Sequence, residues 1–141
     1  MTQINSIRLQ NALDFITKLD NRDYTALAAT MAPDCTHRFL PATLGGLGKP
    51  VRSKEEIIEF AKGLESIFEI INFQSPLEIT ETKDAVIIHM VSDGKTRSGK
   101  PYNNEYMFTF RFNAEGKILS VKEFLDSHYV LDILAGEKDA A

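Results

Sequence analysis

Alternating apolar and polar residues near the C-terminal end give the clearest structural signal in the chain. One such run covers 105–112 (EYMFTFRF), another covers 118–125 (ILSVKEFL), and the short segment between them contains Gly116. A period of two is typical of half-buried strands, and a short connection containing glycine is typical of a β-hairpin. The pattern therefore predicts an antiparallel hairpin with four aromatic side chains on one face: Tyr106, Phe108, Phe110 and Phe112.

Burial of those aromatic rings predicts the register of the hairpin. Pairing Phe112 with Leu119 places Phe108 opposite Glu123, whereas a slip of one residue would set polar side chains against the rings. The same register makes two further pairs on this face, Phe110 with Val121 and Tyr106 with Leu125. Glu123 then becomes the one acid on a face of aromatic and aliphatic side chains. Burial is costly for an ionised carboxylate there unless a hydrogen-bond donor meets it.

Apolar residues at helical spacing predict three helices in the N-terminal half and a short one at the C-terminal end. The first covers 5–20, and the second runs from Asn21 to a stop at Pro33. The third covers 53–69 and opens with the capping-box sequence SKEE. The last covers 127–134, with Gly136 as its stop. Asp126 and Ser127 are expected to cap it.

Three more strands are predicted before the hairpin, over 35–40, 70–80 and 85–92. In the third of these, Ile87, His89 and Val91 alternate with Val86, Ile88 and Met90. We expect the set containing His89 to face inward, as Glu123 does. The segments 41–52, rich in glycine and proline, and 93–101, which is polar, are predicted loops.

The order of these elements predicts an α+β fold. Helices come first and strands follow consecutively, without a repeat or a linker, so we expect a single domain over 1–141. The expected architecture is a cone-shaped, curved antiparallel sheet packed against three N-terminal helices. A bent sheet closed by helices leaves a cavity of the kind that binds small molecules.

Composition narrows the classes of function. The chain has 141 residues, is 43% hydrophobic and carries a formal net charge of -4, with a pI near 5.4. An acidic chain without a basic run argues against a nucleic-acid or anionic-membrane partner. The single cysteine, Cys35, excludes an internal disulfide and fits a reducing compartment. With neither a signal-peptide pattern nor an apolar run of roughly 20 residues, we expect a cytoplasmic protein.

Three residues on the expected inner face could carry chemistry: His37, His89 and Glu123. Glu123 is the strongest candidate, as a general acid or base in an apolar wall, the alternative being a carboxylate at a wet rim or paired with arginine. His89 could shuttle protons, or could be a core histidine that donates to a backbone carbonyl. The facing of His37 stays open. Metal binding is not expected, because the local motifs HxH and HExxH are absent.

Other residues are expected to bind or wall a substrate. Tyr102 and Asn104 lie at one end of the aromatic strand and could hydrogen-bond a ligand, the alternative being turn chemistry. The GGLGKP segment at 45–50 lacks the spacing of a phosphate loop and reads as a surface loop or a gate over the pocket. The predicted aromatic wall consists of Phe15, Phe39, Tyr106 and Phe108.

The element order, the segment DFITKLDNRDYTALAATMAPDCTHRF and the hairpin NEYMFTFRFNAEGKILSVKEFLDS resemble the nuclear transport factor 2-like superfamily. The branch they resemble is that of the SnoaL-like polyketide cyclases and their fungal relatives, and the resemblance covers almost the whole chain. It implies a cone-shaped α+β fold. It implies little about the reaction, because this fold hosts many chemistries and some proteins that are not enzymes.

Functional residues of two related groups transfer only in part. The three polar positions of ketosteroid isomerases, similar through FRFN-x-x-GK, fall on Phe15, Phe39 and Phe108, so the resemblance does not imply that isomerisation. In limonene epoxide hydrolase, similar through GKPYN and KEFLD, the essential aspartate, arginine and tyrosine fall on Glu123, His89 and His37. Two further relay positions fall on Val91 and Phe39, which leaves the relay incomplete. SnoaL-like cyclases also place an acid/base carboxylate near Glu123.

The sequence therefore favours an enzyme without a cofactor that moves protons on a hydrophobic, oxygenated substrate. Cyclisation, isomerisation or dehydration of a polyketide- or terpenoid-like compound would fit. One alternative is a non-catalytic module that binds a ligand or dimerises, with Met90, Met107 and Phe124 on an outer sheet face that could serve a homodimer. The other is a hydrolase of the epoxide type, which Val91 and Phe39 weaken.

Overall fold

A computed structural model describes residues 6–140, so the predicted helix start at Asn5 lies outside the described range. The helices in this range are α1 (Ile7–Asp20), α2 (Tyr24–Ala29), α3 (Lys54–Gly63) and α4 (Ser127–Ala140). The strands are β1 (Met31–Leu40), β2 (Arg52–Ser53), β3 (Phe68–Ile70), β4 (Glu78–Glu81), β5 (Ala85–Val91), β6 (Gly94–Thr96), β7 (Pro101–Tyr102), β8 (Glu105–Phe112) and β9 (Ile118–Leu125).

The strands of this range form two sheets. The larger is curved and has the order β2-β1-β9-β8-β5-β4, and the smaller has the order β3-β6-β7. All pairs in the larger sheet are antiparallel except β1 with β9, which is parallel. One core cluster joins the inner sheet face to α1, α3 and α4. The fold is thus the predicted α+β arrangement of a curved sheet and N-terminal helices, with one parallel pair that the sequence did not indicate.

The hairpin of β8 and β9 has the predicted register over most of its length. Phe108 pairs with Glu123, and the pairs Phe110–Val121 and Tyr106–Leu125 also form. Near the turn, a bulge after Arg111 shifts the register, and Phe112 pairs with Ile118 instead of Leu119. Ile118 is fully buried there, because the extra residue of a bulge exchanges the side chains that face the core.

The facing predicted for β5 is wrong. Ile88 pairs with Phe108, so the buried face of β5 consists of Val86, Ile88 and Met90. His89 consequently points to the outer face of the sheet, and Met90 points to the core. Both faces of this strand are apolar enough to be buried, so alternation alone could not decide between them.

The second helix is shorter than predicted, because β1 begins at Met31 and includes Pro33. The pairing of β1 with β9 is irregular between Met31 and Thr36. A proline, which has no N–H to donate, is tolerated in such an unpaired stretch. The strand predicted over 70–80 divides into β3 and β4, which belong to different sheets.

Three other predicted boundaries also move. The predicted loop 93–101 contains β6 and the start of β7, and α3 ends at Gly63 before a 3₁₀ turn, Leu64–Ser66. The predicted stop at Gly136 is wrong, since α4 continues to Ala140. Helix α4 begins at Ser127, as predicted. Asp126 caps it, since its Oδ1 accepts from the Tyr129 amide at 3.1 Å. Along the described range, no helix has the length and apolar character that crossing a bilayer requires.

Candidate functional site

A cavity of about 320 Å³ lies between the inner face of the large sheet and the helices. Its wall is formed by side chains of α1, α3, α4, β1 and the hairpin, together with residues of 64–73. Most of these side chains are apolar, and aromatic rings from several elements are among them. A cavity of this size, largely lined by apolar groups, suits a small molecule with one or a few rings.

His37 and Glu123 bring two titratable groups into this apolar wall. Phe39 on β1 is the register partner of Glu123 on β9, which places His37 diagonally across the parallel pair from the carboxylate. The Nε2 atom of His37 lies 3.0 Å from Oε1 of Glu123. His37 is 5% exposed and Glu123 7%. The buried carboxylate thus has a hydrogen-bond donor. His37, whose facing the sequence left undecided, points inward.

The geometry of this pair determines which ring nitrogen of His37 carries the proton. A carboxylate can only accept, so the Glu123 contact assigns the proton to Nε2 of His37. The other ring nitrogen, Nδ1, is buried and has no hydrogen-bond partner among the described residues. A histidine held in one tautomer by a buried carboxylate can accept a proton at its second nitrogen, and the carboxylate then stabilises the imidazolium.

Arg52 is a third charged residue at the cavity, and sequence reasoning missed it. It falls at the end of the predicted loop 41–52, but in the structure it lies in β2 as the register partner of His37. Its guanidinium carbon lies 4.3 Å from the centroid of the Phe60 ring and 5.3 Å from that of Phe39. Burial lowers the pKa of Arg52, and the negative charge of Glu123 opposes that change. The only sequence signal was its place directly before the capping box of α3.

Tyr102 and Tyr106 both line the cavity. Their hydroxyl oxygens are 2.9 Å apart. Burial raises the pKa of Tyr102 to about 12 and that of Tyr106 well above its usual value of 10.0. Both phenols therefore stay protonated at neutral pH, and between them they can offer a hydroxyl hydrogen to a ligand.

Asn104 does not reach the cavity. Its Nδ2 donates to the Tyr102 hydroxyl at 3.0 Å, and its Oδ1 accepts from the Glu105 amide at 2.8 Å. The amide is buried and has partners at both ends, so the alternative of turn chemistry describes it better than ligand binding. Its effect on the site is indirect, because it holds the Tyr102 ring in place.

The residues of the predicted aromatic wall differ in their position relative to the cavity. Phe15 and Phe39 line the cavity, but Phe108 is fully buried behind it. Phe73, which the sequence did not single out, covers Phe108 with ring centroids 5.7 Å apart and itself lines the cavity. Phe108 lies at the centre of the sheet, where Phe73 covers it. Phe73, in the loop after β3, therefore forms the cavity wall at this position.

His89 lies outside the site. Its Nε2 contacts Oε2 of Glu105 on the outer sheet face, and its side chain is 28% exposed. The described residues contain no group of three His, Cys, Asp or Glu side chains placed to hold a metal ion. Cys35 is buried, and burial raises the pKa of its thiol to about 12.

The fold is that of α+β proteins that bind small molecules. Its curved sheet and helices enclose an apolar cavity, and the wall of this cavity contains a histidine–carboxylate pair and a guanidinium. The model of the SnoaL-like domain family matches residues 12–121. The chain therefore belongs to the SnoaL-like family of the nuclear transport factor 2-like superfamily. This confirms the resemblance drawn from the sequence.

Solved structures with the same fold include fungal and bacterial proteins. AusH from Aspergillus nidulans is 26% identical, with a TM-score of 0.73 and coverage of 89% of this chain and 88% of AusH. BvnE pinacolase from Penicillium brevicompactum is 24% identical, with a TM-score of 0.79 and coverage of 99% and 98%. An NTF2-like protein from Burkholderia pseudomallei is 17% identical, with a TM-score of 0.79 and coverage of 91% and 97%. Among the curated proteins, none matches the chain.

Proposed function

We propose that the protein is a cofactor-independent acid/base enzyme that acts on a hydrophobic, oxygenated small molecule of polyketide or terpenoid type. The observation that carries the proposal is the buried His37–Glu123 pair, two hydrogen-bonded titratable side chains in the wall of an apolar cavity. Membership of the SnoaL-like family and the similarity to a protein named a pinacolase support the same reading.

In the proposed reaction, the His37–Glu123 pair removes a proton from a hydroxyl group or from a carbon next to a carbonyl. The hydrogen bond between the two side chains keeps both oriented, and the negative charge of Glu123 offsets the positive charge that the pair gains with the proton. The pair then returns the proton to another atom of the substrate, so that proton positions change and no electrons are gained or lost overall. Cyclisation, isomerisation and dehydration all need this sequence of proton transfers.

The apolar wall contributes by excluding water. Electrostatic interactions between Glu123 and the charged ring are stronger in a water-poor cavity than at a surface. The hydroxyl groups of Tyr102 and Tyr106, joined at 2.9 Å, supply a neutral donor for a substrate oxygen. Phe15, Phe39 and Phe73 hold the carbon skeleton against these groups.

The test is solvent deuterium exchange into ketones whose background exchange is slow, followed by mass spectrometry. The panel is 1-tetralone, 2-acetylnaphthalene and 2-decalone. We expect the protein to accelerate exchange into at least one ketone, and His37→Gln and Glu123→Gln to reduce the rate by roughly 100-fold. The glutamine oxygen can still accept from Nε2, so the second variant removes the charge and keeps the hydrogen bond.

The matched control is His128→Gln, which alters a histidine whose side chain is 88% exposed on α4. It should exchange at the rate of the unmodified protein. The proposal fails if no ketone exchanges faster than with heat-denatured protein, or if Glu123→Gln is as fast as the unmodified protein.

We also propose that two copies of the chain associate through the outer face of the large sheet. Leu40, Phe124 and Met107 are cross-strand neighbours there, and Phe124 is 50% exposed and Met107 41%. An exposed apolar row at the centre of a sheet is typical of an interface.

Charges on either side of this row favour a two-fold contact. Arg38 and Lys122 are cross-strand neighbours on β1 and β9. The exposed Glu78 and Glu105 lie towards the β4 edge of the sheet. A two-fold axis that crosses the row, parallel to the strands, sets the basic side of one copy against the acidic side of the other. Sedimentation should show a dimer that Phe124→Glu converts to monomer, whereas Leu131→Glu, at another exposed apolar site on α4, leaves it intact. A monomeric unmodified protein excludes the contact.

A further inference from the structure

The Arg52 guanidinium is buried without the partners that such a group needs. The residue is 8% exposed and lines the cavity. Its hydrogen bonds run from Nη1 and Nη2 to one acceptor, the Leu47 carbonyl oxygen, and both are 3.4 Å long. These contacts are near the upper limit for a hydrogen bond, and a guanidinium has five N–H groups to satisfy.

Among the described residues, no carboxylate forms an ion pair with the Arg52 guanidinium, although the charges of Glu123 and Glu56 both act on it from a longer distance. Oε1 of Glu123 is instead engaged by His37. The Phe60 and Phe39 rings lie against the cation, and such contacts offset only part of the cost of removing a charge from water.

Of the described residues that line the cavity, Arg52 is the one with a permanent positive charge. Its fork of parallel N–H groups matches two oxygens held in one plane. We propose that Arg52 binds an oxyanion with two coplanar oxygens on an otherwise apolar ligand, either a carboxylate or the enolate of a 1,3-dicarbonyl. This inference rests on the proposed function in one respect, namely that the cavity takes a small-molecule ligand.

The register of the sheet places this subsite beside the proposed base. Arg52 on β2 is paired with His37 on β1, so the anion lies next to the imidazole that exchanges protons. A ligand anchored there presents its carbon skeleton to the aromatic wall and its acidic positions to the His37–Glu123 pair. Arg52 therefore sets which molecules bind and how they are oriented.

The experiment is isothermal titration calorimetry with three ligands of similar size: 2-naphthoate, 2-acetylcyclohexane-1,3-dione and 2-naphthylmethanol. The first carries a carboxylate, the second is present as a 1,3-dicarbonyl enolate at neutral pH, and the third is neutral. We expect the unmodified protein to bind at least one anion about tenfold or more tightly than the alcohol. Which anion it prefers distinguishes the carboxylate from the enolate.

The variants separate a ligand-binding role for Arg52 from a structural one. Arg52→Met should lower the preference for anions to about twofold or less while alcohol binding changes little. Arg52→Lys should keep part of the preference, because lysine retains the charge without the fork. Arg111→Met is the control, since Arg111 is exposed on the outer sheet face. If Arg52→Met melts before the titration temperature, Arg52→Lys decides the matter, and a full preference in that variant overturns the claim for a two-oxygen contact.

Equal binding of anions and alcohol by the unmodified protein overturns the inference, as does an anion preference that survives in Arg52→Met. The result is independent of catalysis, because Glu123→Gln should keep the anion preference while losing deuterium exchange. An anion preference without exchange refutes only the proposed function. Exchange that depends on Glu123, with no anion preference, refutes only the Arg52 subsite.

Discussion

Asp20 at the end of α1 is predicted to weaken the fold at neutral and alkaline pH. Its Oδ2 accepts from the Phe73 amide at 3.1 Å, and its Oδ1 is buried without a partner among the described residues. Burial raises the pKa of this carboxyl from 3.8 to about 7, although the Phe73 amide acts in the opposite direction. The substitution Asp20→Asn keeps an acceptor for that amide and removes the ionisation.

The sign of the effect follows from proton binding. Between pH 3.8 and about 7 the folded protein holds the Asp20 proton and the unfolded chain has lost it. The free energy of unfolding therefore falls as pH rises through this window and changes no further above it. The full change in pKa corresponds to ~4 kcal/mol for an isolated group. Asp20 is only half-buried, so we expect water to reduce this to about 1–2 kcal/mol.

The measurement is a series of thermal melts from pH 4 to pH 8.5. Asp20→Asn should match the unmodified protein most closely at pH 4 and exceed its Tm by ~3–6 °C at pH 8. At low pH the unmodified protein and Asp20→Asn both carry a neutral side chain at position 20 with one unpartnered polar group. The free-energy cost of that group is therefore common to both, and it cancels when the difference in Tm is compared across pH. Asp14→Asn, a substitution of the same type on α1, is the control. A difference in Tm that does not grow with pH, or that has the opposite sign, refutes the reasoning.

Two further predictions test the hairpin and the cysteine. Ile118→Ala should destabilise the fold by about 3 kcal/mol, as expected for a fully buried side chain, and Leu119→Ala by less than about 1 kcal/mol. Denaturant titration of both variants tests the position of the bulge. Equal losses of stability would contradict it. Cys35 should not react with a disulfide reagent at pH 8 until the protein unfolds, because burial raises the pKa of its thiol to about 12; prompt reaction of the native protein would show that the thiol is accessible.

The hairpin could be predicted from the sequence because its signals are local and agree with one another. Alternation and a glycine-containing turn select one register, and the structure has that register wherever β8 and β9 pair regularly. The error at Leu119 comes from a bulge, which has no signature in the alternation itself. Glu123 was recognised for the same reason, since it is an acid in a run of inward-facing apolar residues.

His89 and Arg52 show where such local reasoning stops. The β5 sequence is apolar on both faces, so its facing depends on pairing with β8 rather than on its own pattern. Arg52 belongs to a strand of two residues, which is too short to show a period, and it becomes part of the site only through pairing with β1. In both cases the position of the side chain depends on a strand pairing between residues distant in sequence. The pattern within a single segment does not predict such a pairing.

The parallel pairing of β1 with β9 explains why the charged and titratable side chains of the cavity lie at one edge of it. It sets Arg52, His37 and Glu123 on three adjacent strands, β2, β1 and β9, with their side chains in the same wall. With the histidine neutral, the positive and negative charges of the other two cancel. In the proposed reaction, transfer of a proton from a ligand to the His37–Glu123 pair then gives the wall one positive charge and the ligand one negative charge. We expect side chains that match the charge created in this way to favour proton transfer over simple binding of a neutral molecule.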